Sequence, residues 1–439
     1  MERGVYNNFY NYLIDNFERE HLPERHLESP ALLAKRASAF QFFNLKGLPS
    51  SRYEEWKFTN LNRLLKQEFT FQPENEPYHT LPEEIPDLNA FKIVLINGKL
   101  APEISDVLPE GASFLGSTAL DDPDYAEKIG SITADPENPM LALNTAFFKH
   151  FYVLHIRTKV VIEKPIHIAH VITGNNSAAF IPYRMLVLAE ELSETTVVET
   201  FNSYTNHPAL ISYVNEQKLH PSAVFDSYVV NALNEDIYLV HQREVVQHAN
   251  SVFNNINISA GNAALTRNEL NCRLADSGTE TNLLGTYITT DRQHVDNHTL
   301  ADHQAPNCHS SELYKGIMMD RSHAVFNGKV YVHPEAQKTN AFQQNNNVLL
   351  SEQAVINSKP QLEIFADDVK CSHGSTVGQL NDEAVFYLKS RGIGEESAKR
   401  LLVEAFVSDV HSRIRIPALK DYVYELLRLK LQSESLITA

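Results

Sequence analysis

The stretch Phe151–His170, FYVLHIRTKVVIEKPIHIAH, shows the clearest periodic pattern of apolar residues in the chain. Its large apolar residues recur on even positions, with charged or polar residues between them: Leu154, Ile156, Val160, Ile162, Ile166 and Ile168. Successive side chains of a β-strand point to opposite faces, whereas helical repeats recur every three to four residues. The alternation therefore predicts β-strands with one buried face.

Short strand-like segments continue to about Thr376, and no convincing helical pattern interrupts them. Two all-β architectures compete for this region. A sandwich or barrel would use hairpin turns of the Asn-Gly type, which the chain carries at Asn97-Gly98 and Asn327-Gly328. A solenoid would stack many short strands and polar corners, and the run Asn345–Asn347 suits such corners. We favour the solenoid, a parallel β-helix, although no strict repeat length is visible.

Helical regions are expected on both sides of this core. Apolar residues at helical spacing run to about Gln67, and Asn381 is placed to cap a helix near the C-terminus. A further helix starts near Glu395, and one apolar stripe runs along it: Ala398, Leu401, Leu402, Ala405 and Phe406. The sequence thus predicts an N-terminal helical region with a linker (1–90), a mixed connecting segment (91–150), a β-helix core (151–376) and a C-terminal helical domain (377–439).

The composition narrows the possible partners and compartments. Lys plus Arg number 38 and Asp plus Glu 55, which gives a formal net charge of −17. An acidic surface repels phosphates and anionic lipids, so we expect neither nucleic acid nor a membrane as a partner. No apolar run is free enough of charge to span a bilayer, and the N-terminus lacks a signal-peptide pattern. Three widely spaced cysteines fit a reduced, cytoplasmic protein better than a disulfide scaffold.

Cys371 and His373 stand two residues apart in the segment Val369–Gly378, VKCSHGSTVG. Positions i and i+2 of a strand share a face, so the thiol and the imidazole are expected to be neighbours. They could form half of a metal site, or a nucleophile and its base, or they could fill or rim the β core. The preceding Asp367 and Asp368 face opposite sides and are interpreted as solvated turn residues. The spacing alone does not choose between these interpretations.

A second group of candidate ligands lies in His294–His309, HVDNHTLADHQAPNCH. If this segment is extended, His294, Asp296 and His298 share a face and could bind zinc or iron. Alternatively, a histidine-rich solenoid strand exposes them, because no spacing here matches a known metal-binding motif. The other members of the group are Asp302, His303, Cys308 and His309. A standalone metalloenzyme on a β-helix is therefore one hypothesis. A β-helical polysaccharide lyase is another, and the missing signal peptide and reduced thiols argue against it.

Three longer segments carry a resemblance to a known family. Lys338–Ile393, which contains the run VKCSHG, resembles the C-terminal signature of the SufB/SufD family of iron–sulfur cluster assembly proteins. His294–His303 resembles its mid-chain strand motif, and Arg52–Leu61, RYEEWKFTNL, resembles an N-terminal motif of the SufD branch. The intact Cys-Ser-His-Gly run and the small number of cysteines are similar to SufD rather than SufB chains.

The resemblance implies a right-handed parallel β-helix flanked by helices, and a non-catalytic scaffold role in cluster assembly. It implies two partners, a SufB-type paralogue and a SufC-type ATPase that docks on the C-terminal helices, where Leu401, Leu402 and Phe406 lie. It also implies that His373 sits at the interface with the SufB-type chain, near a thiolate of that partner, and that Cys371 belongs to the same site.

The cofactors that the resemblance implies are transient. A stable iron–sulfur cluster normally takes four thiolates, and three cysteines do not provide them. We therefore expect iron or a cluster to be shared with the partner, with His373 as a candidate ligand. A homodimer in the partner's absence and a bound reduced flavin are compatible with the resemblance, but no residue can be assigned to either.

Overall fold

The computed structural model describes residues 7–17, 28–71, 84–133, 137–174 and 177–432. Twenty β-strands dominate the described residues and form two ten-stranded sheets. The strands are β1 (Thr70–Phe71), β2 (Phe91–Ile96), β3 (Lys99–Leu100), β4 (Ala112–Leu115), β5 (His150–Ile156), β6 (Ile166–Thr173), β7 (Ala179–Ala189), β8 (Glu194–Tyr204), β9 (Ala209–Leu219), β10 (Val224–Ala232), β11 (Ile237–Gln247), β12 (Val252–Ser259), β13 (Leu265–Leu274), β14 (Glu280–Thr289), β15 (His294–His303), β16 (His309–Met318), β17 (His323–Val332), β18 (Asn340–Leu349), β19 (Val355–Ile364) and β20 (Lys370–Gly378).

Helices precede, interrupt and follow these strands. They are α1 (Asn8–Phe17), α2 (Pro30–Lys46), α3 (Pro123–Ala126), α4 (Pro139–Phe147), α5 (Asp382–Ser390), α6 (Glu395–His411) and α7 (Pro417–Gln432). Short 3-10 helices lie at Glu54–Trp56, Leu64–Lys66, Pro102–Ile104 and Ser117–Asp121. Within the described ranges, no helix is long and apolar enough to cross a membrane.

Successive strands alternate between the two sheets. From β5 onwards, odd-numbered strands build the first sheet and even-numbered strands build the second, and each strand pairs in parallel with the strand two positions later. Such a chain winds into a solenoid, so the prediction of a parallel β-helix flanked by helices is confirmed. The strands of the two sheets run from Thr70 to Gly378 and so begin before the expected core boundary at residue 151.

The main apolar core lies between the inner faces of the two sheets. The even-numbered apolar residues of the opening stretch pack into it, and Leu154, Ile156 and Ile168 are fully buried there. The stretch is not one strand, however, because a corner at about residues 157–165 separates β5 from β6. The alternation persists across this corner because both strands face the same interior.

The corners explain why the sequence shows no strict repeat. The distance between stacked partners ranges from 27 residues, between Tyr238 and Leu265, to 33, between His150 and Tyr183. One corner per coil contains a residue with positive φ, and its identity changes along the stack: Lys159, Leu192, Ser222, Asn250, Gly278, Asn307 and Lys338. The left-handed conformation recurs, but the residue type that marks it does not.

Two local predictions about asparagines were wrong and one was right. Asn97-Gly98 has positive φ at both residues and joins the antiparallel strands β2 and β3, as a hairpin turn should. Asn327-Gly328 instead lies within β17, paired with both neighbouring strands. The run Asn345–Asn347 lies within β18 rather than at a corner. Asn345 and Asn347 point inward and hydrogen-bond Tyr287 Oη at 2.9 and 2.5 Å.

The flanking helices cover the outer faces of the two sheets. Helices α1, α2 and α4 pack on the first sheet around Phe43, Phe147 and Phe180. Helices α6 and α7 pack on the second sheet through two apolar clusters that include Val407 and Val423. As predicted, Asn381 caps α5 by accepting hydrogen bonds from two backbone amides of its first turn.

The buried stripe of α6 differs from the predicted one. Its fully buried apolar positions are Ala398, Val403, Val407 and Val410, whereas Leu401 is 46% exposed. Leu402 and Phe406 are half-buried. The valines face the solenoid because they are four or three residues apart, so Leu401 is left on the outer side.

Candidate functional site

The C-terminal end of the solenoid is open. β19 and β20 are the last strands of their sheets, and each pairs with one strand within the described part of the chain, β17 and β18 respectively. The outer edges of both strands therefore present unpaired backbone groups. Large apolar side chains are exposed around this end: Phe342, Val355, Ile364, Phe365 and Val377, at 38–57% exposure. Both features are typical of a surface that another chain covers.

Cys371 and His373 lie on β20 at this open end. They are in register with Ala341 and Gln343 of β18, which point into the solenoid and are buried. The thiol and the imidazole therefore lie on the inner side of the last strand, one pleat apart. Cys371 is half-buried against an apolar cluster, whereas His373 is exposed because no further coil covers it. Asp367 and Asp368 lie in the exposed turn before β20.

The Cys371 thiol is not activated by this chain. Partial burial raises the pKa of Cys371, although a backbone hydrogen bond at Ala341 opposes the shift. A thiol with a raised pKa stays protonated at neutral pH and is a poor nucleophile or metal ligand. Cys371 therefore needs a cation or a base from elsewhere before it can react or bind iron.

A polar row lies directly beneath His373, inside the solenoid. Gln343 Nε2 donates to Glu312 Oε2 at 2.7 Å, and Thr299 Oγ1 donates to Glu312 Oε1 at 2.5 Å. Burial raises the pKa of Glu312 to about 7, although both hydrogen bonds oppose that shift. A carboxyl group that is half-ionised near neutral pH thus lies two coils below the open end. Sequence analysis could not predict this row, because its members are far apart in the chain.

The members of the second group, around His294–His309, lie elsewhere. His294, Asp296 and His298 share the outer face of β15, under the segment Arg52–Leu61. At the centre of this cluster lies Arg267, whose Nη1 is 2.5 Å from Asp296 Oδ2 and 3.0 Å from His298 Nε2. The guanidinium thus already supplies the positive charge that a metal ion would bring.

The charges in this cluster compensate one another. Burial favours the protonated form of Asp296, but Arg267 and His298 outweigh it and hold the pKa of this carboxyl well below its usual range. Burial and Arg267 disfavour the imidazolium of His298, but Asp296 and Glu55 outweigh them and raise its pKa. Trp56 covers Arg267, with the guanidinium carbon 4.1 Å from the ring centroid. The cluster therefore fastens the N-terminal segment to the solenoid.

The remaining members of the group are dispersed. His303 points inward and contacts Ser310 at 2.9 Å, Asp302 pairs with His333 at 2.8 Å, and the Cys308 thiol is buried. Within the part of the chain that the structure describes, no three His, Cys, Asp or Glu side chains are arranged to hold a metal ion. The arrangement therefore gives no support to a standalone metalloenzyme.

The C-terminal helices expose an apolar surface that sequence analysis located only in part. Leu401 is exposed on α6, as a docking residue should be, but Phe386 and Tyr387 on α5 are more exposed, at 73% and 57%. The sequence could not identify them, since an amphipathic pattern does not show which apolar residues pack on the core.

Comparison with known proteins identifies the family of this chain. Residues 170–406 match the model for the SufBD core domain of the SUF system for iron–sulfur cluster assembly, and residues 7–168 match the model for the SufBD N-terminal region. The chain belongs to the SufBD family. It is 30% identical over 408 residues to an iron–sulfur cluster assembly SufBD family protein of Synechocystis, covering 90% of each chain.

Two relatives named SufD are also similar to it. The identity to the iron–sulfur cluster assembly protein SufD of Escherichia coli is 28% over 392 residues, or 86% of this chain and 88% of the relative. The identity to SufD of Bacillus subtilis is 25% over 426 residues, or 93% and 96% of the two chains. The match to the core-domain model includes the strands that build the open end and most of α6.

Proposed function

We propose that this chain is a scaffold subunit on which iron–sulfur clusters are assembled together with a SufB-type paralogue. The observation that carries the proposal is the open end of the solenoid, where Cys371 and His373 lie on a terminal strand with an unpaired edge and exposed apolar residues lie on the same coils. Strand edges pair readily with strands of another chain, and a paralogous β-helix would offer edges of the same kind.

At such an interface, His373 would contribute one ligand to iron. A neutral imidazole binds iron well, and iron is here the cargo of the assembly reaction. The exposed position of His373 lets a thiolate of the partner approach the same ion. Cys371 lies one pleat away and would become a ligand or a sulfur carrier once a bound cation lowers the pKa of its thiol. Membership of the SufBD family supports this assignment in general terms.

The energy for the process would come from a second partner, a SufC-type ATPase. The apolar surface formed by Phe386, Tyr387 and Leu401 is its proposed docking site. Lys315 on β16 is hydrogen-bonded to α6 at Asp409 Oδ2 and at the Phe406 carbonyl, both at 2.6 Å. A pull on α6 would therefore reach the second sheet, which ends in β20. In this scheme the chain itself is non-catalytic and transmits motion to the open end.

The proposal also covers the isolated chain, its cellular location and a bound flavin. The same open end could accept a second copy of this chain when the paralogue is missing. The cysteines are unpaired, which suits a cytoplasmic location. A reduced flavin stays a prediction without an assigned residue.

The test is the iron and acid-labile sulfide content of the complex co-expressed with its SufB-type and SufC-type partners and isolated without air. We expect His373→Ala to assemble normally but to lose most of its iron and sulfide. His207→Ala is the matched control, because His207 is exposed on the loop between β8 and β9. Unchanged iron and sulfide in His373→Ala would overturn the proposed role of the open end.

A further inference from the structure

A buried amide oxygen lies one strand below His373 without a hydrogen-bond partner. Gln343 is 3% exposed, and its Oε1 is unpaired among the residues that the structure describes. A buried carbonyl oxygen without a donor is unfavourable, and such groups in native proteins call for an explanation. The open end is the side from which we look for a donor, because Glu312 occupies the side of Gln343 toward the preceding coil.

The orientation of the Gln343 amide is fixed from below. Glu312 Oε2 accepts a hydrogen bond from Gln343 Nε2 at 2.7 Å, while Glu312 Oε1 is already occupied by Thr299 Oγ1 at 2.5 Å. A carboxylate that accepts on both oxygens demands a donor from Gln343, so the nitrogen must face Glu312. The amide oxygen is thereby directed away from Glu312.

His373 is the side chain that can reach this oxygen. It is in register with Gln343 on the adjacent strand, and both side chains lie on the inner side of the solenoid wall. Neighbouring strands lie about 4.8 Å apart, a separation that an imidazole can bridge by rotating about its side-chain bonds. His373 is exposed and has room for that rotation.

We propose that Gln343 is a positioning residue for His373. Its Oε1 accepts a hydrogen bond from one ring N–H of His373, and the other ring nitrogen then carries its lone pair toward the open end. Glu312 and Thr299 act indirectly by holding the amide. Metal-binding histidines are commonly fixed in this way, and loss of such a partner typically weakens metal binding about 10- to 100-fold. The inference rests on the proposed function, since it concerns the orientation of the same ligand.

The ionisation of Glu312 supports this arrangement. Its pKa of about 7 leaves a substantial ionised fraction at neutral pH, and the ionised form is the one that accepts both hydrogen bonds. Tyr314 and Cys272 are titratable groups near it, and burial raises the pKa of each far enough that both stay neutral there.

The first experiment measures ferrous iron affinity of the complete complex without air. Gln343→Leu removes the acceptor at similar volume and should weaken iron binding about 10- to 100-fold. Glu312→Gln keeps the shape but frees the amide to turn, and it should weaken binding to a smaller extent. Gln344→Leu is the matched control, because Gln344 is the next residue of β18 and points outward.

A second measurement does not depend on iron. In the isolated chain with 15N-labelled histidine, the His373 signals are assigned by comparison with His373→Ala. We expect a single dominant tautomer in the wild type and a mixture of both in Gln343→Leu. If Gln343→Leu does not fold, Glu312→Gln replaces it, with a partial shift toward the mixture expected.

The outcomes separate this inference from the proposed function. If His373→Ala loses iron while Gln343→Leu and Glu312→Gln bind it as Gln344→Leu does, the positioning role is wrong and the site at His373 stands. The same holds if the wild-type tautomers are already mixed. If His373→Ala binds iron normally, the proposed function itself fails.

Discussion

At the scale of single residues, the chain has two groups of candidate ligand side chains. The groups differ in whether their polar atoms are already paired within the chain. The outer cluster around Arg267 is closed, because guanidinium, carboxylate and imidazole pair with one another beneath Trp56. The pair Cys371 and His373 is open, because the strand that carries it has no neighbour on its outer side among the described residues. Sequence spacing could not separate these cases, since it does not show that Arg267 lies between the candidate ligands.

Removing Arg267 from the closed cluster should destabilise the protein strongly. Arg267→Met should lower the free energy of unfolding by about 3–5 kcal/mol, because it leaves the buried Asp296 without its main counter-charge. The measurement is urea denaturation at neutral pH. The control is Arg63→Met, since the ion pair of Arg63 with Asp236 is about half-exposed and should contribute less than about 1 kcal/mol. Equal losses in the two variants would contradict the assignment.

The contributions of His298 and His303 to the free energy of unfolding should depend on pH in opposite directions. The folded-state pKa of His298 is raised, so its stabilisation is complete below its unfolded value of about 6.5 and is lost as pH rises through the folded value. The advantage of the wild type over His298→Asn in free energy of unfolding should therefore shrink between pH 6 and 9. Burial lowers the pKa of His303 to about 4, so its contribution is present above about 6.5 and is lost as pH falls toward 4.

The variant His303→Asn tests the expected pH dependence of the contribution of His303. Because asparagine does not titrate, this variant should lose less stability than the wild type between pH 6.5 and 4. A fall of the same size in both proteins, or a His298→Asn difference that does not change with pH, would rule out these assignments.

At the scale of elements, strand pattern was the most informative signal. Alternation in Phe151–His170 correctly placed its even-numbered apolar residues in the core, although it did not reveal the corner between β5 and β6. Caps were also informative, because Asn381 ends the solenoid and begins α5 as expected. The Asn-Gly pair correctly predicted a hairpin turn only at Asn97-Gly98. In the corners of the solenoid, residues of many types adopt the left-handed conformation, so residue type did not identify those corners.

The exposed surface of α5 and α6 is the proposed docking site of a SufC-type ATPase. Phe386→Ala combined with Leu401→Ala should weaken binding of the SufC-type protein at least about tenfold, because large apolar side chains at the centre of an interface carry much of its binding energy. Isothermal titration calorimetry with the purified partner measures this. Val161→Ala is the control, as Val161 is 57% exposed on a solenoid corner. Equal affinities for both variants would move the docking site elsewhere.

At the scale of the whole molecule, the solenoid has an open C-terminal end, which is the proposed site of cluster assembly. The helices cover its sides, and the solenoid directs one strand edge from each sheet to the open end. Residues that are far apart in the sequence, such as Thr299, Glu312 and Gln343, become neighbours because the coils stack in register. Sequence analysis could not foresee them without the coil lengths, which vary from 27 to 33 residues.

The three cysteines allow a direct test of whether a SufB-type partner covers the open end. Cys371 is half-buried at that end, whereas Cys272 and Cys308 are buried inside the solenoid and serve as internal controls. The measurement is the rate at which each thiol reacts with a labelling reagent, resolved by peptide mass spectrometry, with and without the SufB-type partner. The isolated chain is labelled at low concentration, so that a homodimer does not hide the same surface.

We expect Cys371 to be labelled much faster than Cys272 and Cys308 in the isolated chain, and the SufB-type partner to protect it. Addition of ATP to the complex with the SufC-type protein should then change the Cys371 rate again. If the partner binds but Cys371 reacts at the same rate in the complex as in the isolated chain, the open end is not the interface.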